Sequence, residues 1–148
     1  MALISIRAFW IKFRISCDNG PFSFQKLSNA NKLKKEAWQY YQTWMKEKTY
    51  CGSLKQEVLI TKEGWNHIIK GSSRRRRHVK DLVNKLKLLK AAKYIIKASD
   101  QCKVDKRKDG TYIMLEGTVS SMQRQKIRVI LKKKEKGDYN FYSVMQSH

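Results

Sequence analysis

The chain contains 148 residues, of which 33 are Lys or Arg and 12 are Asp or Glu, so its formal net charge at pH 7 is +21. A chain of this length buries enough surface for one ordinary domain, and its four Trp, seven Tyr and five Phe exclude a disordered, charge-solvated chain. The charge excess favours a polyanionic partner, nucleic acid ahead of an anionic membrane or an acidic protein. The alternative is that the lysines only keep the surface solvated.

The cysteines and the apolar runs exclude several classes of protein. Cys17, Cys51 and Cys102 are odd in number and none forms a C-x-x-C pair, so neither a disulfide framework nor a zinc site is predicted. A reducing, cytoplasmic location fits this usage best. No apolar run approaches the roughly 18 residues that span a bilayer, so no integral membrane association is expected. Residues 1–6 are apolar but run into basic residues, so no signal peptide is predicted.

Residues 1–56 are predicted to form an N-terminal extension that carries one amphipathic helix. Within residues 11–15, bulky apolar side chains alternate with basic ones, which is a strand period; a basic membrane-surface segment is the alternative. The helix is predicted over residues 31–48 and is followed by a loop at residues 50–53. Its aromatic stripe is expected in the core rather than as a platform for stacked bases. The apolar face of this helix comprises Leu33, Ala37, Tyr40, Tyr41, Trp44 and Met45.

Two further helices are predicted after a short strand end or loop at residues 58–60. Thr61 is placed to cap the first helix, and Gly71 is placed to end it. The second helix is predicted over residues 74–97, with lysines such as Lys85 covering the side away from its apolar face. That apolar face comprises Val79, Leu82, Val83, Leu86, Leu89, Ala92 and Ile96.

After Ser99 the hydrophobic period changes from that of a helix to that of a strand, which predicts an antiparallel meander of three or four strands. Ile127, Val129 and Leu131 should face the helices, and Arg128 should face the other way. The predicted fold class is therefore α+β, with two or three helices packed on one face of the sheet. The strand patterns lie at 112–119, 126–132 and 139–145, with breaks at 108–110, 120–121 and 136–138.

The residues available for chemistry are few. The sequence contains no glycine-rich phosphate loop, no paired Cys/His metal spacing and no nucleophile elbow, and carboxylates are scarce. What remains is one histidine that looks placed for chemistry, His67, together with many cations and several hydroxyls near the last strand. This inventory suits metal-independent RNA cleavage, in which the ribose 2′-hydroxyl attacks the adjacent phosphate and side chains move two protons. The alternative is that His67 is an ordinary surface or packed residue.

Three segments carry a resemblance to a known superfamily. Residues 60–68 (ITKEGWNHI) resemble the first-helix motif of the phage-associated barnase/EndoU/colicin/RelE-like nucleases. Residues 126–130 resemble the basic strand of that superfamily, and residues 141–144 resemble the aromatic-x-Ser-Val pattern of its last strand. The segments occur in the superfamily's order and the resemblance covers about residues 58–145. It implies a nuclease domain at residues 57–148 with helices followed by a four-stranded meander.

The resemblance also implies roles for particular residues. The implied catalytic residues are His67 for proton transfer, Arg128 for the scissile phosphate and Ser143 to complete the site. The implied nucleic-acid-binding residues are Arg74, Arg75, Arg76, Arg77, Lys126 and Tyr142. The chain departs from the superfamily in one respect that bears on mechanism, because Glu116 is the only candidate for the acidic base of barnase-type members. Residues 1–50 have no counterpart in the superfamily.

Three functions are consistent with these features. The first is a metal-independent endoribonuclease of toxin or mobile-element kind, with RNA, or else DNA, and an acidic inhibitor protein as expected partners. The second is a non-catalytic basic module whose arginine run and lysine-rich strand contact phosphates. The third is a basic structural or membrane-surface protein. No cofactor and no metal are predicted for any of them.

Overall fold

The computed structural model describes residues 27–71, 77–119 and 125–147, and within them the predicted α+β class is confirmed. The helices are α1 (Leu27–Lys46), α2 (Lys62–Lys70), α3 (Val79–Lys87) and α4 (Leu89–Ala98). The strands are β1 (Thr49–Cys51), β2 (Gln56–Val58), β3 (Lys103–Arg107), β4 (Gly110–Val119), β5 (Gln125–Lys133) and β6 (Asn140–Ser147). Strands β3 to β6 form an antiparallel meander in sequence order, as predicted. The strand prediction at residues 11–15 and the break at 120–121 lie outside the described residues.

The sheet has one buried face and one face with half-exposed residues, as the alternation in β5 predicts. Ile127, Val129 and Leu131 are each 0% exposed and lie against the helices, whereas the intervening Arg128 and Ile130 are half-exposed. Successive side chains of a strand point to opposite faces, so a basic residue between two core residues must emerge on the outer face. The prediction that Arg128 lies opposite the core is therefore confirmed.

Helix α1 contributes its aromatic stripe to the same core, which confirms that the stripe is structural. Tyr41 and Trp44 are 0% and 1% exposed and pack with Phe141 of β6. The polar atoms of these large rings are satisfied, since the Trp44 indole donates to Thr49 Oγ1 at 2.9 Å and the Tyr41 hydroxyl donates to Thr61 O at 2.6 Å. Buried Trp and Tyr need such partners, so these bonds fix how α1 sits on the rest of the chain.

The prediction of a loop at residues 50–53 is wrong in part. Thr49–Cys51 is strand β1, and it pairs antiparallel with β2. Thr49 and Cys51 are buried while Tyr50 between them is exposed, which is the alternation of a strand. A strand of three residues is too short for its alternating pattern to be recognised in the sequence directly after a helix.

The single helix predicted over residues 74–97 is also wrong, because it divides at Leu88 into α3 and α4. Leu88 has φ −82° and ψ −5°, and its N–H donates to both Asn84 O and Lys85 O. Leu88 and Leu89 are both buried where the two helices meet. The division lets α3 pack on α1 and β6 while α4 packs on β4 and β5. Val79, which was expected on the apolar face, is 42% exposed.

Among the residues in the described ranges, no helix is both long enough and apolar enough to cross a bilayer.

Candidate functional site

Helix α2 lies directly on strand β6, and this contact positions His67. The predicted cap is confirmed, since Thr61 Oγ1 accepts a hydrogen bond from the Gly64 N–H at 3.3 Å. A Cβ atom on Gly64 would lie 2.5 Å from Phe141 O, so only glycine allows the helix so close to the strand. His67 follows Gly64 by three residues and therefore lies on the same side of the helix. Its ring stacks on Tyr142 of β6, with the two centroids 3.9 Å apart and the planes inclined by 28°.

Tyr142 occupies an irregular position in β6. In the register of β5 with β6, Ile130 pairs with Ser143 and the next residue, Leu131, pairs with Phe141. Tyr142 is thus the extra residue of a β-bulge, a feature that redirects side chains next to functional sites. The bulge breaks the alternation in β6, because Ser143 and Val144 are consecutive and both buried.

The imidazole of His67 makes no hydrogen bond to the part of the chain that the structure describes. Both ring nitrogens are shielded from solvent and have no hydrogen-bond partner among the described residues. The pKa of His67 is lowered from its ordinary value, first by burial and then by the positive charges of Lys85 and Arg77. The nearby Tyr142 backbone, which does not meet hydrogen-bond geometry, acts in the opposite direction. His67 is therefore neutral at pH 7, and the neutral form can accept a proton.

Lys85 lies near enough to His67 for its charge to lower the pKa of the imidazole, and it binds Ser143. Its ammonium group donates to Ser143 Oγ at 3.0 Å and to the Val144 carbonyl at 2.8 Å. Burial, and then the charge of Arg77, lowers the pKa of Lys85 to about 8. The expectation that Lys85 lies on the solvent side of its helix is wrong. Leu82, Lys85 and Leu89 follow each other at intervals of three and four residues, which puts the half-buried Lys85 in line with apolar residues, and this spacing was the available signal.

Arg77 closes the other side of the cluster. Its guanidinium donates to His67 O at 3.2 Å, the same carbonyl that accepts from the N–H of the capping residue Gly71 at 2.7 Å. A cation here is favoured by the partial negative charge at the C-terminal end of α2. Gly71 has φ +76° and ends the helix, as predicted. Arg74, Arg75 and Arg76 lie outside the described residues, so Arg77 alone of the run has a described position.

Lys132 was missed by the sequence analysis as a site residue. Its ammonium group lies 5.2 Å from the ring centroid of Tyr142 and 5.2 Å from that of Tyr112. A cleft opens beside Tyr142 between the start of α2 and strands β5 and β6, with Lys132, Asn140 and Glu63 in its wall. The sequence signal was weak, because Lys132 is one of many lysines that alternate with core residues.

The remaining predicted residues form a separate cluster on the outer face of the sheet. Glu116 binds both Lys126, at 2.7 Å, and Arg128, at 2.9 Å. Arg128 also donates to Ser147 Oγ at 3.3 Å, so the serine that it meets is Ser147 and not Ser143. Hydrogen bonds from Lys126 and Arg128 lower the pKa of Glu116, which makes this carboxylate a poor general base near neutral pH.

The structure thus brings together some of the predicted site residues and separates others. His67, Tyr142 and Ser143 meet around Lys85, with Arg77 beside them. Arg128 and Lys126 bind Glu116 instead, and Arg128 lies four residues along β5 from Lys132, or about 13 Å at the rise of a strand.

Within the described parts of the chain, no three His, Cys, Asp or Glu side chains are grouped so as to hold a metal ion. Comparison with protein-family models, with curated proteins and with solved structures finds no match for this chain. The resemblance to the nuclease superfamily, the cytoplasmic location and the acidic inhibitor protein accordingly stay predictions.

Proposed function

We propose that this protein binds RNA and cleaves it without a metal ion, by attack of the ribose 2′-hydroxyl on the adjacent phosphate. One observation carries the proposal: a neutral imidazole with no hydrogen-bond partner among the described residues lies near a lysine whose pKa is about 8. Efficient proton transfer at neutral pH needs groups whose pKa values lie near the working pH. Such shifts cluster at functional sites.

His67 would act as the general base. It takes the proton of the 2′-hydroxyl while the 2′-oxygen forms a bond to phosphorus, so the imidazole becomes positively charged as the transition state develops. Its stacking on Tyr142 fixes the plane of the ring, and its place on α2 fixes its position. RNA binding has to open the shielded ring nitrogens to the hydroxyl for this step to occur.

Lys85 would act as the general acid. As the bond from phosphorus to the 5′-oxygen breaks, the ammonium group gives that oxygen a proton, leaving a 2′,3′-cyclic phosphate and a free 5′-hydroxyl. Ser143 Oγ and Val144 O accept two of the three N–H groups of the ammonium, which orients the third. Ser143 is therefore a positioning residue in this mechanism and does not touch the substrate.

Positive charge would hold the phosphate between these two groups. Arg77 lies close enough to His67 for its positive charge to lower the pKa of the imidazole. Cations directed at the phosphoryl oxygens stabilise the charge that accumulates in the transition state. The net charge of +21 adds a long-range attraction that speeds encounter with RNA.

A non-catalytic basic nucleic-acid-binding module is the second candidate. One observation favours it, because both ring nitrogens of His67 are shielded and a proton-transfer group must reach its substrate. In this case the same cations bind the phosphate backbone and His67 only supports the ring of Tyr142. The two candidates differ in whether RNA is cut.

Incubation of a labelled RNA with the protein in EDTA tests the proposal. We expect the wild type to cleave and His67→Asn to be slower by about 10²–10⁴-fold, the usual contribution of a general base. The matched control is His78→Asn, because His78 is exposed and asparagine preserves its role as a helix cap. Binding without cleavage by the wild type supports the second candidate, and equal cleavage by both variants removes His67 from the mechanism.

A further inference from the structure

Ring contacts continue from His67 across the outer face of the sheet. Beyond the His67 stack, Tyr142 meets Tyr112 of β4 edge to face, with centroids 5.7 Å apart and planes at 79°. Tyr112 pairs with Lys132 in the register of β4 with β5, which places both on the face that carries Arg128. The rings therefore lead away from the proposed catalytic centre and toward β3 at the sheet edge.

Arg107 ends this series of contacts. Its guanidinium carbon lies 4.6 Å from the ring centroid of Tyr112, and its Nε donates to Asp105 Oδ2 at 2.8 Å. The side chain of Arg107 is 60% exposed, whereas Tyr112 beneath it is only 7% exposed. The Tyr112 ring contacts the guanidinium group, the Asp105 carboxylate holds it at Nε, and most of the Arg107 side chain stays exposed to solvent.

The charges at this position are balanced. Arg107 pairs with Asp105, and Lys132 pairs with Asp109 at 3.2 Å. The Tyr112 hydroxyl also donates to Asp109, at 2.7 Å. Two cations beside two carboxylates offer a phosphate little net attraction. A neutral planar group gains from stacking on a guanidinium plane, and the unpaired bases of single-stranded RNA are recognised in this way.

We infer that Arg107, supported by Tyr112, is a subsite for one unpaired base of single-stranded RNA. This subsite binds the base of a nucleotide that flanks the scissile phosphate. The RNA strand then runs from His67 over Tyr142 and Lys132 toward the β3–β4 hairpin. The position of the scissile phosphate rests on the proposed function. The assignment of Arg107 and Tyr112 as a stacking surface does not depend on it. A duplex hides its base faces, so it does not occupy the subsite.

Binding of a single-stranded RNA that carries 2′-O-methyl groups tests the subsite without cleavage. We expect Arg107→Ala to weaken binding by about tenfold, the usual cost of losing one stacked base. Arg107→Lys should weaken it almost as much, because lysine keeps the charge and loses the plane. Lys106→Ala is the control, since it removes one charge from the same strand on the opposite face and should stay within about twofold. An abasic substitution at the flanking nucleotide should abolish the difference between Arg107→Ala and the wild type.

Salt dependence distinguishes a base subsite from a phosphate contact. Arg107→Ala should leave the log–log salt slope of binding unchanged, whereas loss of a phosphate contact on a single strand reduces it by about 0.7. Full affinity in Arg107→Lys, or a reduced slope in Arg107→Ala, overturns the inference and makes Arg107 a phosphate ligand. Equal affinity of Arg107→Ala and Lys106→Ala overturns it as well.

The same measurements separate this inference from the proposed function. If the wild type binds the methylated strand through Arg107 but does not cut the unmodified strand, the base subsite stands and the cleavage proposal fails. If it cuts the unmodified strand and Arg107→Ala binds normally, the cleavage proposal stands and the subsite fails. If it binds no single strand at physiological salt, both fail.

Discussion

Two basic clusters occupy neighbouring parts of this molecule, and they differ in how their charges are satisfied. Around Glu116, one carboxylate binds Lys126 and Arg128, so both cations have a partner on the outer face of the sheet. Around His67, Lys85 bonds only to a hydroxyl and a carbonyl, and the imidazole has no hydrogen-bond partner within the described residues. The first cluster is an ion-pair network. The second keeps bonding capacity that a ligand can use.

The difference shows that positive charge alone does not identify a site in a chain with 33 Lys and Arg. Burial lowers the pKa of both His67 and Lys85, so the imidazole is neutral at pH 7 and can accept a proton, while the ammonium group of Lys85 can release one near pH 8. In the other cluster, hydrogen bonds lower the pKa of Glu116 and keep it an inert anion at neutral pH. Among the described residues, burial without an ion-paired carboxylate is what separates the His67 cluster from the Glu116 cluster.

The largest change is expected from Lys85→Met, which removes the proposed acid and keeps the length of the side chain. RNA cleavage should slow by about 10²–10⁴-fold, because the leaving oxygen no longer receives a proton. The control is Lys80→Met on the same helix, where the lysine is exposed. Single-turnover cleavage with saturating protein measures the effect. A rate near that of the wild type would show that Lys85 is only a structural lysine.

The pH dependence of cleavage should follow the two shifted groups. A base works when it is deprotonated, so activity should rise as pH increases through the pKa of His67, which lies below its ordinary value. An acid works when it is protonated, so activity should fall as pH increases through about 8, the pKa of Lys85. The profile of kcat/KM is then bell-shaped, and Lys85→Arg should lose the alkaline limb. An alkaline limb that persists in Lys85→Arg would assign it to another group.

Local rules in the sequence were sufficient for much of the fold. The cap at Thr61 and the end at Gly71 depend on single residues, and the buried face of β5 depends on strict alternation, so each was predicted from a few neighbouring positions. The division at Leu88 was not predicted, because helical periodicity runs through it. It arises from packing on two surfaces that are distant in sequence.

The site was predicted less well, for a related reason. His67, Tyr142 and Ser143 came from motif resemblance, and the structure brings them together. The bond between Lys85 and Ser143 joins residues 58 positions apart in the sequence. It depends on the division of the helix at Leu88 and on the bulge at Tyr142. Neither irregularity has a strong sequence signal. Arg128 was placed on the correct face of the sheet, but its carboxylate partner depends on the register of β4 with β5.

A smaller effect is expected from Ser143→Ala, which removes one of the two acceptors of Lys85. Ser143 is 1% exposed, and loss of a hydrogen bond to a charged donor should lower the free energy of unfolding by about 1–3 kcal/mol. Cleavage should slow by about tenfold because Lys85 is less well oriented. Its ammonium form also loses stabilisation, so the alkaline limb of the pH profile should move to lower pH. Thermal unfolding and the pH profile report these effects separately. An unchanged alkaline limb would show that Ser143 does not act through Lys85.

The smallest effect is expected from Arg128→Ala, and here the structure and the sequence-based prediction differ most. If Arg128 clamped the scissile phosphate, its removal would lower both the affinity for RNA and the rate of cleavage. In the structure its guanidinium bonds to Glu116 and Ser147, and its side chain is 34% exposed. An exposed ion pair contributes about 0–1 kcal/mol to stability, and Lys126 still neutralises Glu116 in the variant. The rate of cleavage by Arg128→Ala should therefore stay within a few fold of the wild type, compared with a loss of about 10²–10⁴-fold in Lys85→Met. A tenfold or greater loss of cleavage in Arg128→Ala, with the folded state intact by circular dichroism, would mean that RNA displaces Glu116, and that the clamp predicted from the sequence is correct.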